Sequence, residues 1–159
     1  MTTADFFHWV QNSEFATELG QAPLFFGTIA QLFHIAGFLL ILTSSVLISL
    51  RVLGNNFIGI TTIELKEKSQ PAVLLGLLFV VVSGVFMLLP SAALYEPNPA
   101  FWLKMKLLIA ALISHFLVLG TALRTVNFFG LVAKLIALVN LLLWFSVAVA
   151  GRAIGFFAA

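Results

Sequence analysis

Four runs of apolar residues, each long enough to cross a bilayer as a helix, alternate with short polar links. They cover approximately Leu24–Leu50, Ala72–Leu94, Phe101–Leu123 and Phe128–Ala150. A hydrocarbon core about 30 Å thick needs roughly 20 such residues. No charge occurs between Glu18 and Arg51, or from Ser69 to Tyr95. The third run carries Lys104 and Lys106 in its first turns and the fourth carries Lys134 near its start, positions from which a long stem reaches the headgroups.

The links agree with this count. Gly54-Asn55-Asn56 and Glu64-Leu65-Lys66-Glu67-Lys68, followed by Pro71, predict a polar connection with a short surface helix. Pro90, Pro97 and Pro99 punctuate the second link, with Pro90 placed either to end or to kink the second helix. Asn127 and Gly130 mark a tight third turn. Ahead of the first span, Phe6, Trp9 and Val10 share one side of a helix whose other positions include Gln11, Asn12 and Glu14, which predicts an interfacial amphipathic helix. His8 in that segment reads as a solvated surface residue. The expected architecture is therefore all-α and polytopic: residues 1–22 form an interfacial segment and residues 23–159 a four-helix transmembrane bundle.

Composition narrows the chemistry. Hydrophobic residues are 62% of 159 and charged residues 9%, far from a soluble domain's average. The eight Lys and Arg are scattered and leave a net charge of only +2, so no nucleic-acid footprint exists. The absence of cysteine removes disulfides, iron–sulfur clusters, thiolate metal sites and covalent haem attachment. The first twenty residues hold Asp5, Glu14 and Glu18 but no Lys or Arg, unlike a cleaved signal peptide, so the first span is expected to stay and direct its own insertion. With the N-terminus outside, Arg51, Lys66, Lys68, Arg124 and Lys134 fall on the cytoplasmic side, against Lys104, Lys106 and Arg152 outside. That bias predicts N-out and C-out.

His34 and His115 are the two histidines inside the spans, on helices that run in the same direction. Ionisable groups at membrane depth mark functional sites by default. Counted from Pro23 and Trp102, they lie about 16 and 20 Å from one membrane face. Matched depth and direction would let two imidazoles clamp one haem iron across a bundle. Gly27, Gln31 and Gly37 fall near the His34 face, where glycine would admit a flat group. Lys104 returns to the His115 face, and Lys104 with Arg152 would meet the propionates. Trp9, Trp102 and Tyr95 could cover that rim, or serve as ordinary belt aromatics.

The alternative for each histidine is a hydrogen bond to a neighbouring helix, through Gln31, Ser83, Ser114 or Asn140. A copper or proton site is a third reading. No carboxylate lies within a span, so a proton-coupled transporter would lack its usual relay, and Met87 and Met105 are too few for a thioether copper path. Ser44, Ser45 and Ser83 read as groups that satisfy helix backbone or allow close helix packing.

His34-Ile35-Ala36-Gly37 followed by Ser49-Leu50-Arg51-Val52-Leu53-Gly54 resembles the first helix of a group of small bacterial inner-membrane proteins of unassigned function. Ser83-Gly84, Tyr95-Glu96-Pro97-Asn98-Pro99-Ala100-Phe101 and Lys104 look like that group's second loop and third helix. The group is distantly similar to the membrane domain of copper resistance protein D and to four-helix b-type cytochromes. The resemblance implies an intramembrane four-helix bundle in which His34 matches a family histidine and Lys104 a family lysine. Two intramembrane histidines provide for one bis-histidine haem and not two.

The combined expectation is a bacterial inner-membrane, b-type cytochrome-like electron-transfer protein or membrane anchor subunit rather than a stand-alone enzyme. It would hold one haem b between His34 and His115, with quinone and a periplasmic or membrane redox protein as partners. A copper-handling protein and a structural subunit of a larger complex are the rival readings.

Overall fold

The computed structural model describes residues 2–54, 59, 61–122 and 130–157, without the side chains of Thr62, Thr121 and Ala122. Among these residues every regular element is helical. Two short helices, α1 (Thr3–Gln11) and α2 (Glu14–Gln21), precede α3 (Leu24–Val52) and α4 (Thr62–Leu88). A 3-10 turn at Leu89–Ser91 and one turn of helix, α5 (Ala92–Tyr95), lead to α6 (Pro99–Ala122) and then α7 (Gly130–Phe157). Four helices are long and apolar enough to span a membrane, as the hydrophobic pattern predicts. The turn expected at Asn127, the Asn55-Asn56 link and Arg124 lie outside the described residues.

Two boundaries differ from expectation for identifiable reasons. The charged stretch Glu64–Lys68 forms the first turns of α4 rather than a separate surface helix. Thr61 caps α4 by accepting from the Glu64 N–H while the Glu64 carboxylate accepts from the Thr61 N–H, a reciprocal box that starts the helix nine residues before Pro71. Pro71 is carried within the helix. Pro90 ends α4 by tightening the chain into the 3-10 turn, since its ring cannot donate to a carbonyl one turn back.

The N-terminal helices lie on the membrane face where α3 and α6 begin. A second capping box starts α1: Thr2 accepts from the Asp5 N–H and Asp5 accepts from the Thr2 N–H, which holds the Asp5 carboxyl below its ordinary range. Gln11 Oε1 accepts from the Ala93 N–H at 2.8 Å, and Phe7 meets the rings of Phe101 and Trp102. Phe15 packs edge-on against Phe86. Phe6 and Trp9 stay exposed, as an interfacial helix requires.

The four long helices form two tight pairs, α3 with α4 and α6 with α7, joined chiefly along α3 and α7 with a lesser seam between α3 and α6. Pair α3–α4 crosses at two glycines. A Cβ on Gly37 would lie 2.7 Å from the Gly76 carbonyl and 2.7 Å from Phe79 Cβ, while one on Gly76 would lie 2.6 Å from the Gly37 carbonyl. Lipid offers apolar chains no reason to leave it, so close backbone approach is what holds such helices together. Ile41, Val80, Ala111, Trp144 and Val147 form the central core. Large apolar side chains such as Ile29, Leu78, Ile113 and Leu142 remain exposed on the outer surface, where lipid would meet them.

Candidate functional site

Hydrogen bonds between helices fix the register of α3 against α6. His115 Nδ1 lies 3.2 Å from Ser45 Oγ, so His115 is level with Ser45. Ser45 follows His34 by eleven residues on α3, a rise of about 16 Å. The same offset places Lys104, eleven residues before His115, level with His34. Lys104 does interact electrostatically with His34. The matched depth expected for the two histidines is therefore corrected: His34 faces the Lys104 level and His115 sits one bundle layer deeper. Between the two levels lie Ile41 on α3 and Ala111 on α6, both fully buried. The error came from equating Pro23 with Trp102 as entry points. In the observed register Trp102 is level with Leu32, because α3 begins several residues above α6.

The outer level is built by four elements. Ser83 on α4 donates its hydroxyl proton to the Phe79 carbonyl. Its lone pair then receives the His34 Nδ1 proton at 3.0 Å, and the Val80 carbonyl faces the same ring. With Nδ1 as the donor, His34 Nε2 carries the free lone pair. Gly84 admits the ring, since a Cβ there would lie 3.4 Å from His34 Cε1. Lys104 on α6 lays its stem over Gly151 of α7, with Cε 3.6 Å from the position of a Cβ. No acidic side chain among the described residues pairs with Lys104. Lys106 points out to the surface.

The inner level is a closed polar cluster. Asn140 on α7 donates one amide proton to Ser45 Oγ at 2.7 Å and the other to Ser49 Oγ at 2.8 Å. Ser45 Oγ also shares a hydrogen bond with His115 Nδ1, which either group can donate. Ser45, Ser49 and Asn140 are fully buried and His115 nearly so. This network binds α6 and α7 to α3, the polar-glue role weighed for the histidines; of the partners expected, Ser83 meets His34 at the outer level, while Asn140 reaches His115 only through Ser45. Ser45 and Ser49 as its acceptors were not foreseen. Their spacing of four on one helix face was the available signal.

A single bis-histidine haem does not fit this arrangement. One iron needs both imidazole nitrogens about 2 Å away, and the axial offset of the histidines is about 16 Å with packed hydrocarbon between them. Gly37 is filled by Gly76 and Phe79 rather than open to a macrocycle. Gly27 has no neighbour within 4 Å, and both it and Gln31 are exposed on the outer surface of α3. Arg152 is exposed, with its guanidinium 5.9 Å from the Phe156 ring centroid. Trp102 donates to the Glu96 carbonyl at 2.8 Å, the Tyr95 ring lies tilted 5.4 Å from Phe101, and Trp9 is exposed beside Phe6. Among the described residues no group of three or more His, Asp or Glu side chains could hold a metal ion.

Fold and pattern together define an all-α protein with four candidate membrane spans and two stacked intramembrane polar levels. The chain belongs to a family of unknown function, DUF6644, which matches residues 6–157. No curated protein and no solved structure matches it. The likeness to copper resistance protein D and to b-type cytochromes has no support from a matching relative.

Proposed function

We propose that the protein is the membrane-embedded subunit of an electron-transfer assembly in the bacterial inner membrane, and that its outer level takes the headgroup of a quinone. The observation that carries this reading is Lys104, an amino group held inside the bundle with no carboxylate to meet it, level with an imidazole whose Nε2 lone pair is uncommitted. Intramembrane polar groups without internal partners mark ligand paths. A quinone offers one carbonyl oxygen to the Lys104 amino group. In the quinol form one hydroxyl donates to His34 Nε2, which takes one of the two protons released when the quinol's two electrons pass to a redox partner, and the other proton goes to water at the membrane face. By accepting the Nδ1 proton Ser83 fixes the tautomer this requires, as second-shell acceptors do for functional histidines.

The N-out, C-out orientation inferred from Lys and Arg positions puts this level in the outer half of the bilayer. Haem b clamped by both histidines is not part of the proposal. Copper handling is less well supported, since among the described residues no three His, Asp or Glu side chains gather where they could hold a metal ion.

Titration of the purified protein in nanodiscs with a short-chain benzoquinone, followed by tryptophan quenching, tests the reading. Saturable binding is expected, weakened at least about tenfold by Lys104→Met and by His34→Leu and unchanged by Lys106→Met; about tenfold is the loss of one hydrogen bond worth ~1.4 kcal/mol. Equal binding in all variants, or partitioning without saturation, contradicts it. A Soret band abolished by either His34→Ala or His115→Ala would restore the shared-iron reading.

A further inference from the structure

The glycines of the chain differ in what stands over them. Gly37 and Gly76 are packing residues, where an added Cβ would strike backbone or a fixed Cβ of the neighbouring helix. Gly20 meets Pro90, and Gly27, Gly54, Gly59, Gly120, Gly130 and Gly155 have nothing within 4 Å. Gly84 and Gly151 follow neither pattern. Over Gly84 a Cβ would meet only His34, with Cε1 at 3.4 Å and Nδ1 at 3.6 Å. Over Gly151 the three nearest atoms are Lys104 Cε, Cδ and Nζ, at 3.6, 3.8 and 3.8 Å. These are the two polar side chains of the outer level, and the glycines stand on α4 and α7, the tight partners of the helices that carry them. Glycine weakens a helix interior relative to alanine. At these two positions it leaves room for one polar side chain and serves no close approach of backbones.

We infer that Gly84 and Gly151 are positioning residues of the outer level, each the seat on which one site side chain lies, so that His34 Nε2 and the Lys104 amino group are presented to the ligand from fixed places. That the ligand is a quinone rests on the reading given above; the seating of the two side chains does not. Asn98 holds the Gly151 seat in register: its Oδ1 accepts from the Ala100 and Phe101 N–H groups at the start of α6, and its Nδ2 donates to the Ile154 carbonyl of α7 at 3.1 Å. A Cβ on either seat would only touch the side chain above it. Valine's γ-carbons reach about 1.5 Å further and overlap it, against an ordinary contact of about 3.5–4.0 Å. Because the Lys104 stem can swing aside, valine at Gly151 displaces the amino group without parting α6 from α7. At Gly37 the obstacles are fixed and the helices themselves must move.

Acetylation of the intact protein in nanodiscs with a small amine reagent, read residue by residue by mass spectrometry, tests this together with benzoquinone titration of the same samples. In Gly151→Val the labelling of Lys104 relative to Lys106 should rise severalfold, and the benzoquinone Kd should rise about tenfold, the loss of one hydrogen bond. Gly155→Val, one turn further along α7 with nothing within 4 Å, should alter neither. Gly151→Ala should fall between wild type and Gly151→Val. An unchanged Lys104 labelling ratio in Gly151→Val overturns the seat, and a raised ratio with an unchanged Kd overturns the positioning role. A raised ratio in a protein whose wild type shows no saturable benzoquinone binding supports the seat and refutes the quinone reading alone. Should Gly151→Val fail to fold, Gly84→Val is read by carbethoxylation of His34 relative to exposed His8, which should rise severalfold; equal reactivity in wild type and variant overturns the proposal.

Discussion

Gly37→Ala is the sharpest probe of how the bundle is held. The added methyl would meet the Gly76 carbonyl and Phe79 Cβ at 2.7 Å and Val80 Cγ2 at 3.1 Å. Ordinary contact lies near 3.5–4.0 Å. The α3–α4 backbones must therefore separate by roughly 1 Å, because two of the three obstacles are a backbone oxygen and a Cβ that cannot rotate away. Overpacking of this kind costs about 1–3 kcal/mol. Helix propensity returns at most about 1 kcal/mol for replacing glycine. A net loss of about 1–2 kcal/mol is expected in reversible denaturant titration of the protein in micelles. Gly76→Ala acts on the same contact, so the double variant should lose less than the two single losses combined. Gly27→Ala, with nothing within 4 Å, serves as the control and should be neutral or slightly stabilising. If Gly37→Ala and Gly27→Ala behaved alike, the glycine crossing would not be the contact that joins α3 to α4.

Other consequences follow from the same geometry. Ser45→Ala removes the acceptor of one Asn140 proton and the partner of His115, and should cost about 1–2 kcal/mol, whereas Ser146→Ala, which loses only a surface bond to the Leu142 carbonyl, should cost almost nothing. Lys104→Met should leave stability unchanged or raise it by up to about 1 kcal/mol while weakening quinone binding, since a site residue without a partner is retained for function. The Asp5 carboxyl is held below its ordinary value by Thr2, so its contribution to the α1 cap is present above the unfolded carboxylate range and is lost as pH falls through the folded value. Amide-exchange protection at the start of α1, taken relative to the intrinsic rate at each pH, should fall on acidification, and Asp5→Asn should abolish that pH dependence.

The spans were legible because a bilayer demands long charge-free runs, and the stretch from Glu18 to Arg51 admits no other structure. The start of α4 was less so: charge suggested a surface link, although Thr61 followed by Glu64 carried the capping signature that places the helix start there. His34, Lys104 and His115 stood out as polar groups in apolar runs, and Ser83 was foreseen as a partner of His34, whereas Asn140 bonds Ser45 and Ser49 rather than a histidine. Depth was not legible. Counting from the ends of hydrophobic runs assumes that helices enter the membrane level with one another, while the register is set by contacts between distant residues: Gly37 with Gly76, and Ser45 with His115 and Asn140. The sequence contains those residues without saying which pairs meet.

That register is the claim on which the placement of both polar levels rests, and the cysteine-free chain permits a direct measurement. Paired substitutions Ser45→Cys with His115→Cys, and His34→Cys with His115→Cys, are treated in membranes with a short bifunctional thiol reagent. Intramolecular cross-linking is predicted for the first pair and none for the second. Efficient linkage of the His34–His115 pair, with the Ser45–His115 pair unlinked, would contradict the register and return the two histidines to a common depth.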